Sequence, residues 1–337
     1  MQSQSITYSF IVPVFNRPHE IQELLESLAQ QTKKDFEVVV VEDGSHIKCE
    51  DVVKSFSDSM QISYYFKENS GPGDSRNYGM RLAKGNYFLI LDSDCIMPAD
   101  YLQQVDANLK SEFVDCFGGV DTAADSFTDV QKAINFAMTS VLTTGGIRGS
   151  SEKLGKFHPR SFNMGLSKAA FDSTGGFRKI YIGEDIDMSI RLWKAGFNSR
   201  LFSNAKAFHK RRVSWRQFKN QVHDFGSARP ILNFWYPEYA KLTYFFPAAF
   251  LLGSVFAVLM AIIGIPIFIY LLLAYFFACF CLSTFQNKSI KVGLLSLVSV
   301  FFQFYGYGSG FIRSFWRLHI RKMKPEEVFP KQFVRKK

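Results

Sequence analysis

The sequence predicts an α/β domain, with a mostly parallel central sheet flanked by helices, followed by C-terminal transmembrane helices. Three observations carry this reading. Short apolar runs alternate with helical patterns from Tyr8 to Leu91, the order expected of a parallel sheet covered on both faces. Polar clusters, Asn16-Arg17, Glu42-Asp43 and Asp92-Ser93-Asp94, follow three of those runs, and ligands of such sheets bind outside the carboxyl ends of the strands. Finally, no charged side chain occurs between Leu242 and Gln286, a run more than twice the roughly 20 residues that span a bilayer.

The elements follow in order. Tyr8–Phe15 is an apolar strand that meets a turn at Asn16-Arg17-Pro18. His19–Gln31 places Ile21, Leu24, Leu25 and Leu28 at helical spacing. Phe36–Val41 is a strand, apolar but for Glu37, stopped by Glu42-Asp43-Gly44-Ser45, Val52–Phe56 starts a second helix, and Ile62–Phe66 reads as a third strand. Ser75–Lys84 is helical and closes at Gly85, and Tyr87–Leu91 is a fourth buried strand ending at Asp92. Beyond Phe113 the pattern is less regular. Gly145–Ser151 reads as a loop, and Gly183-Glu184-Asp185 opens a helix running to Gly196, with its acids in the first turn where the helix dipole favours them.

In the apolar part, Leu242–Ile263 and Ile267–Gln286 are each long enough to span, and Gly264-Ile265-Pro266 suits a tight turn between them. A third apolar stretch, Val292–Ile312, holds Gln303, Gly306, Gly308 and Gly310. If it spanned, the arginine-rich tail would end outside, against the positive-inside tendency. Two spans, with the third segment lying in the interface or re-entering, are therefore expected. The division expected is a soluble domain over 1–229, a juxtamembrane linker over 230–241, a membrane region over 242–312 and a basic cytoplasmic tail over 313–337.

The net charge is +10, and much of it flanks the apolar run, from Lys206 to Lys219 before it and from Arg313 to Lys337 after it. Placed there, basic residues favour cytoplasmic retention and anionic membrane lipids over nucleic acid. The five cysteines show no paired spacing and read as reduced. With no signal-type N-terminus, the expected location is the cytoplasmic membrane, multi-pass, with the soluble domain facing the cytoplasm.

Two carboxylates one residue apart at a strand end, Asp92 and Asp94, can meet one hard cation, Mn²⁺ or Mg²⁺, and leave sites for phosphate oxygens. Taken alone, such a pair is more often a solvated turn. The acids Glu184, Asp185 and Asp187 could serve proton transfer or simply cap their helix.

The ordered set of motifs resembles the large inverting family 2 glycosyltransferases, which have the GT-A fold. It runs from Phe10-Ile11-Val12-Pro13-Val14-Phe15-Asn16-Arg17 through Val41-Glu42-Asp43-Gly44-Ser45 and Asn69–Gly79 to Asp92-Ser93-Asp94. Phe162-Asn163-Met164, Gly175-Gly176-Phe177 and Gly183-Glu184-Asp185-Ile186-Asp187 follow. Glu42 stands where the family usually has aspartate. The resemblance implies that Pro13 and Phe15 line a base pocket, that Asp43 accepts a hydrogen bond from the base, and that Arg76 lies near the diphosphate. Asp92 and Ser93 would also contact the donor; Asp94, with Asp92 and His209, would hold the metal. Asp185 would be the catalytic base, and Glu184, Asn163 and Trp193 would face the acceptor, although Trp193 at helical spacing also reads as core.

The activity implied is metal-dependent, inverting transfer of a single sugar from a nucleotide-diphosphate sugar to a lipid-linked or glycan acceptor at the membrane. A UDP-sugar is preferred because Asp43 suits the imide N–H of uracil, with a GDP-sugar as the alternative. Within the class, a polyprenyl-phosphate glycosyl synthase is the rival reading. Outside it, the rival is an inactive membrane scaffold that keeps the fold. No Gln-x-x-Arg-Trp precedes the membrane segment, which argues against a processive synthase. Gly71-Pro72-Gly73 lacks the Gly-Lys-Ser/Thr ending of a P-loop. A transporter would need ionisable groups in its spans, and the first two hold none.

Overall fold

The computed structural model describes residues 5–122, 128–144, 157–209 and 214–333, with the side chains of Asp121, Thr122 and His209 excepted. Its strands are β1 (Tyr8–Val14), β2 (Phe36–Asp43), β3 (Gln61–Lys67), β4 (Tyr87–Leu91), β5 (Cys95–Ile96), β6 (Cys116–Thr122), β7 (Asn163–Ser167) and β8 (Ser199–His209). The first helices are α1 (Pro18–Ala29), α2 (Glu50–Lys54), α3 (Pro72–Leu82) and α4 (Tyr101–Ser111). Next come α5 (Asp129–Thr139), α6 (Val141–Thr144), α7 (Lys168–Thr174) and α8 (Glu184–Lys194). The chain continues with α9 (Trp215–Trp235), α10 (Phe246–Ile262), α11 (Ile267–Asn287), α12 (Ile290–Phe315) and α13 (Pro325–Val328). These elements divide into two compact units, one holding the described residues 5–122 and 157–209, the other 128–144 and 214–333.

The first unit is an eight-stranded sheet in the order β3-β2-β1-β4-β7-β6-β8-β5. The strands β3, β2, β1 and β4 are parallel, as the alternation with helices requires, while β7 runs antiparallel to both β4 and β6. Strand alternation sorts the side chains onto two faces. Phe10, Val12, Val38, Val40, Leu89 and Leu91 pack with Ile21, Leu24, Leu25 and Leu28 of α1 and with Tyr101 and Val105 of α4. Ile11, Val39, Val41, Phe88 and Ile90 take the other face, against Met80 of α3, Phe171 of α7 and Met188 and Leu192 of α8. A strand buried on both faces has no polar side to show, which is why the middle of β2, residues 38–41, is an unbroken run of valines.

Strand order reverses between β1 and β4, and the carboxyl ends of β1, β2 and β4 face one edge. That edge collects Asn16-Arg17, Glu42-Asp43 and Asp92-Ser93-Asp94, the clusters expected at strand ends.

In the second unit, α5 and α9 pack with the apolar helices α10, α11 and α12 around Phe218, Val222, Cys279, Val300 and Phe304. Three helical stretches, Leu242–Ile262, Ile267–Asn287 and Ile290–Ile320, are long and apolar enough to cross a membrane. The first two match the expected spans, and the turn between them has Gly264 at φ 89°. The third stretch, expected to lie in the interface or re-enter, forms one continuous helix, α12, of 26 residues. Its glycines let neighbours approach: a Cβ on Gly306 would meet Val222, and one on Gly310 would meet the backbone of His223. The cysteines are all free. The expected loop at Gly145–Ser151 and the basic run Lys210–Arg212 lie outside the described residues.

Candidate active site

Asn16 follows β1 in the left-handed region at φ 55°, a conformation asparagine tolerates better than most residues. Its side-chain oxygen accepts from the backbone N–H groups of His46 and Ile47 at 2.8 and 3.1 Å. The β1 turn is thereby tied to the β2 turn. Pro13 and Phe15, on the same stretch, are half-buried. Glu42, fully buried, accepts from the Ser45 hydroxyl and from the Cys49 N–H at 2.7 Å. It braces the turn that follows β2.

Asp43 is 2 % exposed, and its carboxylate turns inward. Lys67 Nζ donates to it at 2.6 Å, and the backbone N–H groups of Ser70 and Gly71 donate at 2.9 Å each. It thus fixes the loop that enters α3. Gly71 in that loop has φ 97°, and a Cβ there would lie 2.3 Å from the Tyr181 ring, so only glycine fits. Tyr181 closes the same contact by donating its hydroxyl to the Ser70 carbonyl at 3.2 Å.

Arg76, on α3, is the centre of the cluster. Its side chain is 3 % exposed; Nη2 donates to Asp92 Oδ1 at 2.6 Å and Nη1 to Glu184 Oε1 at 3.3 Å. One guanidinium therefore joins the end of β4 to the first turn of α8. The Phe177 ring lies 5.3 Å from it, and Phe177 is held by Asn77, whose amide both accepts from and donates to its backbone at 2.8 and 2.7 Å.

Glu184 also accepts from the Ser161 hydroxyl at 3.4 Å. Burial and the neighbouring Asp185 charge push its carboxyl up to about 7, against the opposing pull of Arg76. Asp185 is held from two sides, by Arg160 Nη1 at 3.1 Å and by the N–H of Ile186 at 2.8 Å. Asp187 is fully buried and pairs with Arg191 and Arg178. Since Arg191 also donates to the carbonyls of Thr174 and Gly176, Asp187 serves the turn before α8.

Ser93 is buried, while Asp92 and Asp94 keep 31 % and 14 % of their side chains exposed. Arg17 pairs with Asp94. The two-residue strand β5 begins directly after Asp94 and pairs antiparallel with the end of β8, so that Cys95 lies in register with His209. The backbone thus brings His209 to the neighbourhood of Asp94. Among the described residues no three His, Cys, Asp or Glu side chains converge as a metal site, and the His209 side chain is not among them. Two partly exposed carboxylates one residue apart, each balanced by an arginine, are nonetheless donors of the type that suits a hard divalent cation sharing its shell with phosphate and water.

Asn163 and Trp193, expected on the acceptor side, lie inside. Asn163 is 1 % exposed, accepts from the Tyr101 hydroxyl at 2.7 Å and donates to the Ala205 carbonyl at 3.0 Å. The Trp193 indole packs against His158 at 4.6 Å and donates to Ser199 at 2.8 Å.

The family model for glycosyl transferase family 2 matches residues 9–176, the span that carries β1 to β4, Arg76 and Asp92-Ser93-Asp94. Residues 9–176 form a glycosyl transferase family 2 domain. An uncharacterized glycosyltransferase of Haemophilus influenzae is 39 % identical over 131 residues, 37 % of this chain and 44 % of that protein. The chain spans less than half the length of the curated relatives it matches. Among solved structures, the mannosyltransferase PcManGT of Pyrobaculum calidifontis, in complex with GDP-Man and Mn²⁺, superposes with a TM-score of 0.64 at 15 % identity. That match covers 90 % of this chain and 88 % of that one. S. aureus TarS 1-349 in complex with UDP-GlcNAc gives a TM-score of 0.53 at 16 % identity, covering 91 % of each chain. Both likenesses show the GT-A-like fold.

Several residues of this family 2 domain's site escape a reading of the sequence. Arg160 and Ser161 reach acids far along the chain, and nothing in their local pattern marks them. Arg17 and Asn77 had a signal, since each sits inside a motif of the family resemblance, residues 10–17 and 69–79.

Proposed function

We propose that the chain transfers a single sugar, with inversion, from a nucleotide-diphosphate sugar to an acceptor presented at the membrane. The observation that carries this is the Arg76 bridge, which holds Asp92 on the donor side and Glu184 on the acceptor side with Asp185 next along the chain. Nucleotide-sugar complexes of the two neighbours of the same fold support the donor class.

In this reading the donor lies along the ends of β1, β2 and β4. Pro13 and Phe15 border the base, and Asp43 serves the pocket through the Ser70-Gly71 loop that it fixes. Arg76 offers charge-assisted donors to the diphosphate, beside Asp92 and Ser93. Asp94 and Asp92, with His209, would hold Mn²⁺ or Mg²⁺, which neutralises charge on the leaving diphosphate when bound. Asp185 is the base: oriented by Arg160, its carboxylate takes the proton of the acceptor hydroxyl as that oxygen attacks the anomeric carbon opposite the leaving group. Glu184 divides between acid and carboxylate forms near neutral pH, so it can hydrogen-bond an acceptor hydroxyl in either sense.

The three candidate spans support a membrane-anchored enzyme. The basic flanks favour a catalytic domain on the cytoplasmic side, where a lipid-linked acceptor for cell-surface glycan assembly would be presented.

The test supplies the detergent-solubilised protein with UDP- and GDP-sugars and a lipid extract, and measures nucleoside diphosphate release and the anomeric configuration of the product by NMR. Acceptor-dependent release with an inverted product supports the proposal. A product that retains the donor's configuration, or release that never depends on acceptor, contradicts it.

A further inference from the structure

The connection between β6 and β7 leaves the sheet unit, and its helices α5 and α6 belong to the second unit. Two contacts fix this segment along the apolar helices. At one end, Asp129 pairs with Lys291 at the start of α12, 2.8 Å apart. At the other, the Tyr275 hydroxyl, midway along α11, donates to the Leu142 carbonyl at 2.8 Å.

The lengths agree. Helical rise carries the chain from Asp129 to Leu142 by about 20 Å. Tyr275 likewise lies about 18 Å from Asn287, where α11 turns into α12. Between these anchors Ile134, Phe136, Ala137 and Met138 pack in one cluster with Cys279, Val300 and Phe304. From the level of Lys291, then, α5 descends alongside α12 to half the height of α11.

The segment's own chemistry suits hydrocarbon. No charge occurs between Lys132 and Arg148. Where α5 breaks at Ser140, the polar groups find local partners. The Ser140 N–H donates to Phe136, its hydroxyl accepts from the Leu142 N–H, and its carbonyl accepts from the Thr143 and Thr144 hydroxyls. Thr139 bonds back to Asn135, and Tyr275 satisfies a carbonyl at the helix end that would otherwise be an orphan. Irregular backbone at membrane depth persists only where protein buries it or water reaches it, and Ser140 and Thr143 at this break are buried. At the tip, Val141 leaves 72 % of its surface open, like Phe277 at 66 % on α11 near Tyr275.

We propose that residues 129–144 are a re-entrant membrane segment, inserted from within the catalytic domain's chain, whose tip meets the acyl chains at mid-bilayer. The proposal rests on the reading that α10–α12 lie in the membrane. Its occupant is lipid hydrocarbon, because the exposed tip is apolar and stands at the level of α11's lipid-facing side chains.

The experiment introduces Val141→Cys, Phe277→Cys or Ile47→Cys, each with Cys281→Ser, labels the thiol with bimane and reconstitutes the protein in phosphatidylcholine–phosphatidylglycerol nanodiscs. Ile47 is 61 % exposed in the sheet unit and serves as the aqueous control. Lipids with a mid-chain spin label should quench position 141 as strongly as position 277 and leave position 47 to soluble iodide. Quenching of 141 by iodide alone, with 277 quenched by lipid, overturns the re-entrant segment and leaves the membrane reading intact. If iodide reaches 277 as well, both fail. A second readout needs no variant: a lipid with an acyl-chain diazirine should cross-link to wild-type residues 129–144, and adducts on α10–α12 alone would contradict the proposal.

Discussion

Arg76 Nη2 stands 2.6 Å from Asp92 Oδ1, while the other terminal nitrogen of the same guanidinium reaches Glu184. A cation with 3 % of its side chain exposed is a costly group to leave without partners, and its acids are equally costly to leave without it. Arg76→Ala should therefore destabilise the fold by about 3–5 kcal/mol, the range seen when one partner of a buried pair is removed. Arg76→Lys should recover part of the stability but not donor affinity, since an ammonium cannot span both acids as a planar fork does. Chemical denaturation and donor titration of the two variants check this.

Asp185→Asn keeps an acceptor for the Ile186 N–H and removes the base. Turnover should fall at least about 100-fold, with donor affinity largely intact. Single-turnover kinetics beside calorimetric donor binding separate the two. Lost binding with normal turnover would contradict the assignment.

Asp94→Ala should abolish the Mn²⁺-dependent part of donor binding, and it should release Arg17 from its ion pair. The check is donor titration with and without Mn²⁺. Wild-type affinity in the variant would contradict the metal role.

Glu184 links stability to pH. Its folded value, about 7, is raised from an ordinary 4.5, so the unfolded chain gives up this proton first. Between those values the folded state binds more protons, and stability falls as pH rises from about 4.5 to about 7, then levels off. Glu184→Gln should remove that fall, gaining on the order of 1–3 kcal/mol on wild type between pH 5 and pH 8. Urea denaturation at both pH values measures it. Parallel pH profiles for the two proteins would contradict the raised value.

Much of the first unit was legible because its strands are buried on both faces. The apolar runs of β1, β2 and β4 end where the polar clusters begin, and α8 announces itself by three acids in one turn. The strand β5 was not legible, since two residues carry no periodicity and Cys95 pairs with His209 only across the fold. Nor could the sequence show that Asp43 faces inward to Lys67 and the Ser70-Gly71 loop, because carboxylate direction is set by tertiary partners. For the same reason the sequence could not show that Asn163 is a buried strut between Tyr101 and Ala205. The segment α5 was hidden by context, its apolar face serving α11 and α12 rather than the sheet.

The most direct measurement is thermal stability of the detergent-purified protein with UDP, GDP, CDP and dTDP, each with and without Mn²⁺. A ligand at about 100 times its dissociation constant adds roughly 2.7 kcal/mol to the folded state. At about 2–4 °C per kcal/mol, that is a shift of several degrees. The account predicts such a shift with one nucleotide, dependent on Mn²⁺ and lost in Asp94→Ala. No shift with any nucleotide, in a sample that unfolds cooperatively, would contradict a donor site and leave the chain a membrane scaffold.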